Sequence, residues 1–325
     1  MPFFDLPLDK LEEYRPDVVE PADFDDFWAT TLDEHPWRAE GMTLVDVDAG
    51  LRDVRVQDMT FPGYDGAPIA AWVISPTTPG PHPAVVHYVG YGGGRGMPEE
   101  HLVWAGAGFV QVVMDTRGQG AGWGTGGATA DTGHAGGPAA PGFMTRGIEE
   151  PRDYYYRRLY VDAHHAVEAA AALEQVDPTR VAATGGSQGG ALAIAAASLN
   201  PRVAALMADV PFLCHFERAV GLTGREPYEE IVRFLAVHRD KEEQVFTTLS
   251  YFDNVNLGKR ATAPALFSTA LMDAVCPPST VFAMKNHYGG PSEIEVYRFN
   301  GHEGGATYHL RKQLAWLKER TAESS

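Results

Sequence analysis

Ser187 sits in Gly185-Gly186-Ser187-Gln188-Gly189, a G-x-S-x-G pattern. With nine serines and 35 glycines the pattern arises by chance about 0.1 times in such a chain, so its context must carry the weight. A strand-like run precedes it, Arg180 to Thr184, then comes a turn over Gly185 to Gly190, and an Ala-rich helical run follows, Ala191 to Leu199. In that setting a strained turn lifts a serine above the end of a sheet. The start of the following helix offers N–H groups and a favourable dipole to developing negative charge. The chemistry is nucleophilic attack on an acyl carbon. An unaided serine hydroxyl is a poor nucleophile at neutral pH, so a base is required, and a third group to orient that base.

Two residues downstream meet the requirement. Asp273 follows the strand-like run Ala265 to Thr269, and His302 follows Ile294 to Arg298. Each lies just past the C-terminal end of a strand, the edge where Ser187 also sits. His302 would take the serine proton while Asp273 fixes the imidazole tautomer. Asp209 is a rival acid, ending the run Ala204 to Val210 one element after the serine. His215, His238, His287 and His309 are rival bases; His309 falls in a helical run and the others have no strand-end placement.

Other patterns carry less. Gly122-Trp123-Gly124-Thr125-Gly126-Gly127 satisfies G-x-G-x-x-G, but the chain runs on to Gly136-Gly137-Pro138 with no helix to hold a pyrophosphate. His302-Glu303 lacks the second histidine of a zinc motif, because position 306 is Ala306. His164 and His165 are adjacent on a helix and point about 100° apart, unsuited to chelating one ion. Cys214 and Cys276 fit neither a C-x-x-C nor a zinc spacing and read as two buried reduced thiols. No metal and no cofactor are expected.

The elements that must position these residues alternate in period. Strand-like runs at Ala70 to Ile74, Ala84 to Val89 and Phe109 to Met114 are bounded by Gly and Pro, and a helix is expected over Tyr160 to Gln175, closed by Asp177-Pro178. This alternation, with the nucleophile, acid and base in the order Ser, Asp, His, predicts an α/β-hydrolase fold: a mostly parallel central sheet flanked by helices, in a single domain over residues 1–325. Residues 1–50 read as an extension on the outside of the core, with Phe24, Phe27, Trp28 and Trp37 in a helix and loop. Residues 211–260 read as a helical insertion over one end of the sheet, and 116–150 as a long Gly-rich loop. The 43 acidic and 26 basic residues give a formal charge of −17, which argues against nucleic acid and anionic membranes as partners. Met1 to Pro16 carries no basic start, long apolar run or cleavage site, and no stretch approaches the roughly 20 apolar residues of a membrane span, so a cytoplasmic protein is expected.

The chain resembles carbohydrate esterase family seven, the acetyl xylan esterases and cephalosporin C deacetylases. The segments that carry the resemblance include MDTRGQG at 114–120, PGFMTRG at 141–147, YYYRR at 154–158, GGSQGG at 185–190, DVPFLCHF at 209–216, SYFD at 250–253, CPPSTV at 276–281 and HEGG at 302–305. They span nearly the whole chain. The resemblance implies a Ser187-Asp273-His302 triad, an oxyanion hole of the Tyr91 and Gln188 N–H groups, a structural Arg117, and a small acyl pocket lined by Tyr91, Phe212, Pro227 and Val275. It further implies small acetylated substrates such as xylo-oligosaccharides, other acetylated sugars and cephalosporin C. The assembly implied is a homo-hexamer with sites facing an inner chamber and the 211–260 insertion at its interfaces. One segment departs from the family. Val89-Gly90-Tyr91-Gly92-Gly93 keeps the tyrosine and its flanking glycines, but Val89 and Gly92 replace the usual His and Asn. The competing expectation is an α/β-hydrolase of another class: a peptidase, a longer-chain esterase or an acyltransferase.

Overall fold

Residues 3–131 and 137–322 are described by a computed structural model. Nine strands form one sheet: β1 (Thr43–Val47), β2 (Val54–Pro62), β3 (Pro68–Pro76), β4 (His82–Tyr88), β5 (Val110–Met114), β6 (Val176–Gly186), β7 (Val203–Asp209), β8 (Ala265–Ala270) and β9 (Ser292–Tyr297). Their spatial order is β1-β2-β3-β5-β4-β6-β7-β8-β9. The pairs from β1 to β5 are antiparallel, and every pair from β5 through β9 is parallel. The helices are α1 (Leu8–Glu12), α2 (Phe24–Glu34), α3 (Val103–Gly106), α4 (Tyr155–Ala171), α5 (Gln188–Leu199), α6 (Phe216–Leu222), α7 (Glu229–Val237), α8 (Glu242–Ser250), α9 (Asn254–Gly258), α10 (Pro278–His287) and α11 (Ala306–Thr321). None of the helices among the described residues is long and apolar enough to cross a membrane.

The parallel strands are covered on both faces, which is why their sequences are nearly continuous apolar runs. β5 and β8 are buried at every position. On one face Val86, Ala183, Leu206 and Phe267 join the main core beneath α4 and α5. On the other, Val85, Ala182, Met207 and Leu266 pack with Trp104 of α3 and with Trp316 and Leu317 of α11. The period of two along each strand separates the two layers.

Strand order reverses around β4, whose neighbours are β5 on one side and β6 on the other. A crevice opens at the carboxyl ends of strands at such a switch point. The residue runs leaving β4, β6, β8 and β9 therefore reach one edge, and those runs contain Tyr91, Ser187, Asp273 and His302.

Several sequence expectations change. Phe24, Phe27 and Trp28 of α2 are not an outer layer; they are buried in the main core against Tyr160 and Phe252. The N-terminal segment also supplies β1, an exposed edge strand with no core-facing pattern to betray it. Asp177 and Pro178 do not close α4 but lie in β6, where pairing with β4 is irregular between His82 and Ala84, a place that tolerates proline. The insertion is helical as expected, with α6 to α9 between β7 and β8. The loop expectation over 116–150 holds for its described part, with residues 132–136 outside the described set. Its first half is tied down by Asp115, whose Oδ2 accepts from the N–H groups of Ala128 (2.6 Å) and Thr129 (2.7 Å).

Candidate active site

Ser187 is the hinge between β6 and α5, with φ 56° and ψ −119°. A non-glycine residue in that region is strained and persists only where its surroundings hold it. Three backbone hydrogen bonds do so: Ser187 N–H donates to Asp209 O at 2.9 Å, and Ser187 O accepts from Ala191 N at 3.0 Å and Phe212 N at 3.0 Å. The helix begins at Gln188, three residues before the expected start, because the turn is a single residue. Room for it comes from Gly189, where a Cβ would collide with the Tyr88 carbonyl oxygen. Cys214 and Cys276 are both free and buried.

Asp273 is wholly buried just past β8. Its Oδ1 accepts from the N–H groups of Val275 (2.8 Å) and Cys276 (3.0 Å), which leaves Oδ2 for His302 Nδ1 at 2.9 Å. His302 Nδ1 thereby carries the proton, and Nε2 is left with its lone pair. The imidazole is 33% exposed and lines the same cavity as Ser187. Its loop is braced by Glu303, whose carboxylate accepts from Gly301 N (3.0 Å) and Asn300 Nδ2 (2.8 Å). Glu303 is thus a loop brace, and among the described residues no group of three or more His, Cys, Asp or Glu could hold a metal ion.

The rival acid and a rival base find each other instead. Asp209 Oδ1 lies 2.9 Å from His309 Nε2 and accepts from Gln313 Nε2 at 3.0 Å and Ser268 Oγ at 3.2 Å. His309 Nδ1 is 3.0 Å from the Tyr297 hydroxyl. This pair occupies the α11 side of the sheet. His215, His238 and His287 are absent from the lining of the cavity around Ser187.

That cavity has a volume of about 940 Å³, and Ser187, His302, Tyr91, Pro227, Val275 and Trp123 are among its walls. Phe212 is fully buried behind Tyr91, with ring centroids 6.3 Å apart, and does not face the opening. Among the described residues neither Tyr91 N–H nor Gln188 N–H has a protein acceptor. Gln188 is the first residue of α5, where an N–H has no partner within the helix. The glycine run 122–127 serves this wall. Trp123 Nε1 donates to Tyr91 O at 2.7 Å and Gly122 N to Gly92 O at 2.9 Å.

Two polar residues around these N–H groups had no role in the sequence reading. Gln119, fully buried, accepts Gly92 N–H at 2.7 Å and pairs with the side chain of Gln188. Its place in the Gly-rich RGQG turn was the available signal, since a glutamine buried there needs amide partners. Glu230 on α7 accepts the Tyr91 hydroxyl at 2.6 Å; nothing local in the sequence marks it. Arg117, 1% exposed, forms an ion pair with buried Asp162, and its carbonyl accepts from the Tyr155 hydroxyl at 2.6 Å, so it braces the loop from below.

The comparisons with known proteins agree on one family. The family model of acetyl xylan esterase (AXE1) matches residues 1–320. The chain is 39% identical to an acetyl xylan esterase of Paenibacillus sp. R4, with a TM-score of 0.88 over 97% of this chain and 99% of that one. It is 35% identical to acetyl xylan esterase 1 of Thermoanaerobacterium sp. JW/SL YS485, with a TM-score of 0.89 over 98% and 100%. A curated acetyl esterase of Xylanibacter ruminicola is 30% identical over 184 residues, which cover 55% of this chain and 39% of that relative. An α/β-hydrolase of Penicillium sp. sh18, 18% identical with a TM-score of 0.58 over 82% and 98%, shares the fold alone. With its α/β-hydrolase sheet and these relatives along almost its full length, the chain belongs to the acetyl xylan esterase family.

Proposed function

We propose that the protein is a serine esterase that removes acetyl groups from acetylated xylo-oligosaccharides and other acetylated sugars. The observation that carries this reading is the His302–Asp273 contact at 2.9 Å beside an elbow serine on one cavity wall. Ser187 Oγ attacks the acetyl carbon, and His302 Nε2 takes its proton. Asp273 stabilises the imidazolium and keeps Nδ1 protonated. The carbonyl oxygen becomes an oxyanion held by the N–H groups of Tyr91 and Gln188, each such donor being worth roughly 3 kcal/mol in comparable sites. The C–O bond to the sugar breaks, the leaving alkoxide takes the proton from His302, and the acetyl group stays on Ser187. Water, deprotonated by His302, then attacks the acetyl-enzyme and releases acetate and the free serine.

Tyr91, Pro227 and Val275 form the acyl side of the cavity, with Phe212 backing Tyr91. The remaining volume accommodates the alcohol. The same ester chemistry extends the reading to cephalosporin C, and the family resemblance extends it to a cytoplasmic hexamer.

The test is hydrolysis of p-nitrophenyl acetate, butyrate and octanoate by the wild type and by Ser187→Ala. A steep fall beyond acetate, with turnover lost by several orders of magnitude in a folded Ser187→Ala variant, is expected. Ordinary turnover in that variant overturns the mechanism; equal or better rates on octanoate assign a longer-chain hydrolase instead.

A further inference from the structure

In the chemical steps Tyr91 acts through its backbone N–H, yet its side chain, which also walls the acyl side of the cavity, is among the most heavily bonded at the site. The phenol oxygen accepts from Phe143 N at 2.8 Å and Gly142 N at 3.2 Å. Its single proton goes to Glu230 Oε1 at 2.6 Å, a length typical of a hydroxyl bonded to a carboxylate. The other carboxylate oxygen of Glu230 accepts Met144 N at 3.0 Å. Helix α7 and the 142–144 stretch are thus joined through one phenol. The ring is also packed edge-on against Phe143, with centroids 5.9 Å apart.

We propose that Glu230 is a positioning residue of the esterase, fixing through the Tyr91 hydroxyl where the Tyr91 backbone N–H points in the oxyanion hole. The proposal rests on the reading of that N–H as an oxyanion donor. A donor must lie about 2.7–3.1 Å from where the oxyanion forms, so a small rotation of the Gly90–Tyr91 peptide loses much of its value. Its own carbonyl, Gly90 O, accepts from Gly93 N at 3.1 Å, and the next peptide, Tyr91–Gly92, is held at its carbonyl by Trp123 and at its N–H by Gln119. Glu230 supplies a further hold, at the far end of the side chain.

A direct role in binding sugar fits less well. Glu230 lines the cavity, but it is 8% exposed and both of its oxygens already accept hydrogen bonds. Burial pushes its carboxyl pKa up, while the Tyr91 and Met144 donors pull against that shift. The second acceptor role for Met144 N also explains why a glutamine should be only a partial substitute: one amide oxygen cannot serve both donors through separate atoms.

The experiment measures kcat and KM on p-nitrophenyl acetate for Glu230→Gln, Glu230→Leu, Tyr91→Phe and the Tyr91→Phe/Glu230→Gln double variant. Inhibition by phenylboronic acid, which forms a tetrahedral adduct on the serine, is measured alongside. Expected is a fall in kcat of about tenfold in Glu230→Leu, less in Glu230→Gln, with KM within twofold of wild type. Boronate affinity should fall in step with kcat, and the double variant should be no worse than Tyr91→Phe alone. Wild-type kcat in a folded Glu230→Leu, or a rise in KM with kcat unchanged, overturns the proposal. Multiplicative losses in the double variant overturn it too, because the two residues would then act separately. Ser187→Ala, run in parallel, tests the underlying reading on its own. An active Ser187→Ala defeats the mechanism, whereas an inactive one beside a normal Glu230→Leu defeats only the positioning role. If Glu230→Leu does not fold, the near-isosteric Glu230→Gln and Tyr91→Phe decide the question.

Discussion

The side-chain amides of Gln119 and Gln188 pair reciprocally, Gln119 Nε2 donating to Gln188 Oε1 at 2.9 Å and Gln188 Nε2 to Gln119 Oε1 at 3.2 Å. The pair is fully buried and is extended by the Tyr156 hydroxyl, which donates to Gln188 Oε1 at 2.9 Å, and by Gly92 N–H on Gln119 Oε1. It therefore ties the segment that carries one proposed oxyanion donor to the residue that carries the other. Buried networks of this kind are costly to break, because each orphaned group loses its partner without regaining water. Gln119→Leu is expected to lower stability by about 1–3 kcal/mol and to reduce kcat at least about tenfold with little change in KM. Thermal melting and steady-state kinetics check this together; unaltered kcat in a destabilised variant would show that the pair serves the fold alone.

Asp273 and Asp209 make opposite predictions although both are carboxylates at strand ends with an imidazole partner. Asp273→Asn removes the charge that faces His302 and invites the wrong tautomer, so kcat should fall by about 10⁴. Asp209→Asn and His309→Gln disturb a pair whose imidazole is not the one beside Ser187, and activity on p-nitrophenyl acetate should stay within about tenfold of wild type. A comparable collapse in Asp209→Asn would exchange the roles assigned to the two acids.

Ser187, Asp273 and His302 were legible in the sequence for a physical reason. A parallel sheet places the ends of its strands along one edge, so residues that each follow a strand in the right order must converge even when far apart in the chain. Gln119 and Glu230 were not legible as partners. Their roles depend on contacts with Gly92, Gln188 and Tyr91 that span 27, 69 and 139 residues, and no local periodicity encodes such a contact. The same holds for α2. An acidic, aromatic helix near the start of the chain looks like a cover until Phe27 and Trp28 are seen against Phe252. β1 was invisible for the opposite reason: four of its five residues are exposed.

The glycine-rich departure at 89–93 separates two kinds of glycine. Gly92 has φ +81°, and an added Cβ would meet Pro141 Cγ and Trp123 Cδ1 at 3.6 Å and Gly122 Cα at 3.7 Å, all ordinary contacts. Asparagine tolerates that left-handed backbone better than most residues, so Gly92→Asn, which restores the residue usual in the family, should leave activity and melting temperature near wild type. Gly189→Ala should not be tolerated, because its Cβ would drive into the Tyr88 carbonyl and push α5 away from the sheet. A loss of more than about 3 kcal/mol, or of soluble protein, is expected. Equal stability of the two variants would mean that the elbow has more slack than its hydrogen bonds imply.

Buried and partly buried imidazoles set the acid limit of the fold. Burial pushes His87 down to about 3, with His101 adding to the shift. It pushes His164 down to about 4, with His165 beside it, and His215 down to about 4, with Arg218 and His287 nearby. An unfolded histidine takes its proton near pH 6.5, so from there down to about pH 4 the unfolded chain binds protons that the folded one refuses, and stability falls as pH falls. Asp253 works the other way: burial raises it to about 6 against the N–H donors of Val255, His215 and Phe216, so the folded state binds its proton first between about pH 6 and 4. Burial also lowers His35, His101, His165 and His287, and it raises Glu230 alongside Asp253, so seven imidazoles against two carboxyls leave the histidines in control, at about 1.4 kcal/mol per pH unit for each net proton. Urea denaturation at pH 7, 6 and 5 should show a declining midpoint. His164→Gln, which lies away from the cavity, should make that decline shallower by about one proton. A midpoint flat from pH 7 to 5, or a slope unchanged in His164→Gln, would mean that these imidazoles protonate in the folded protein as readily as in the unfolded chain.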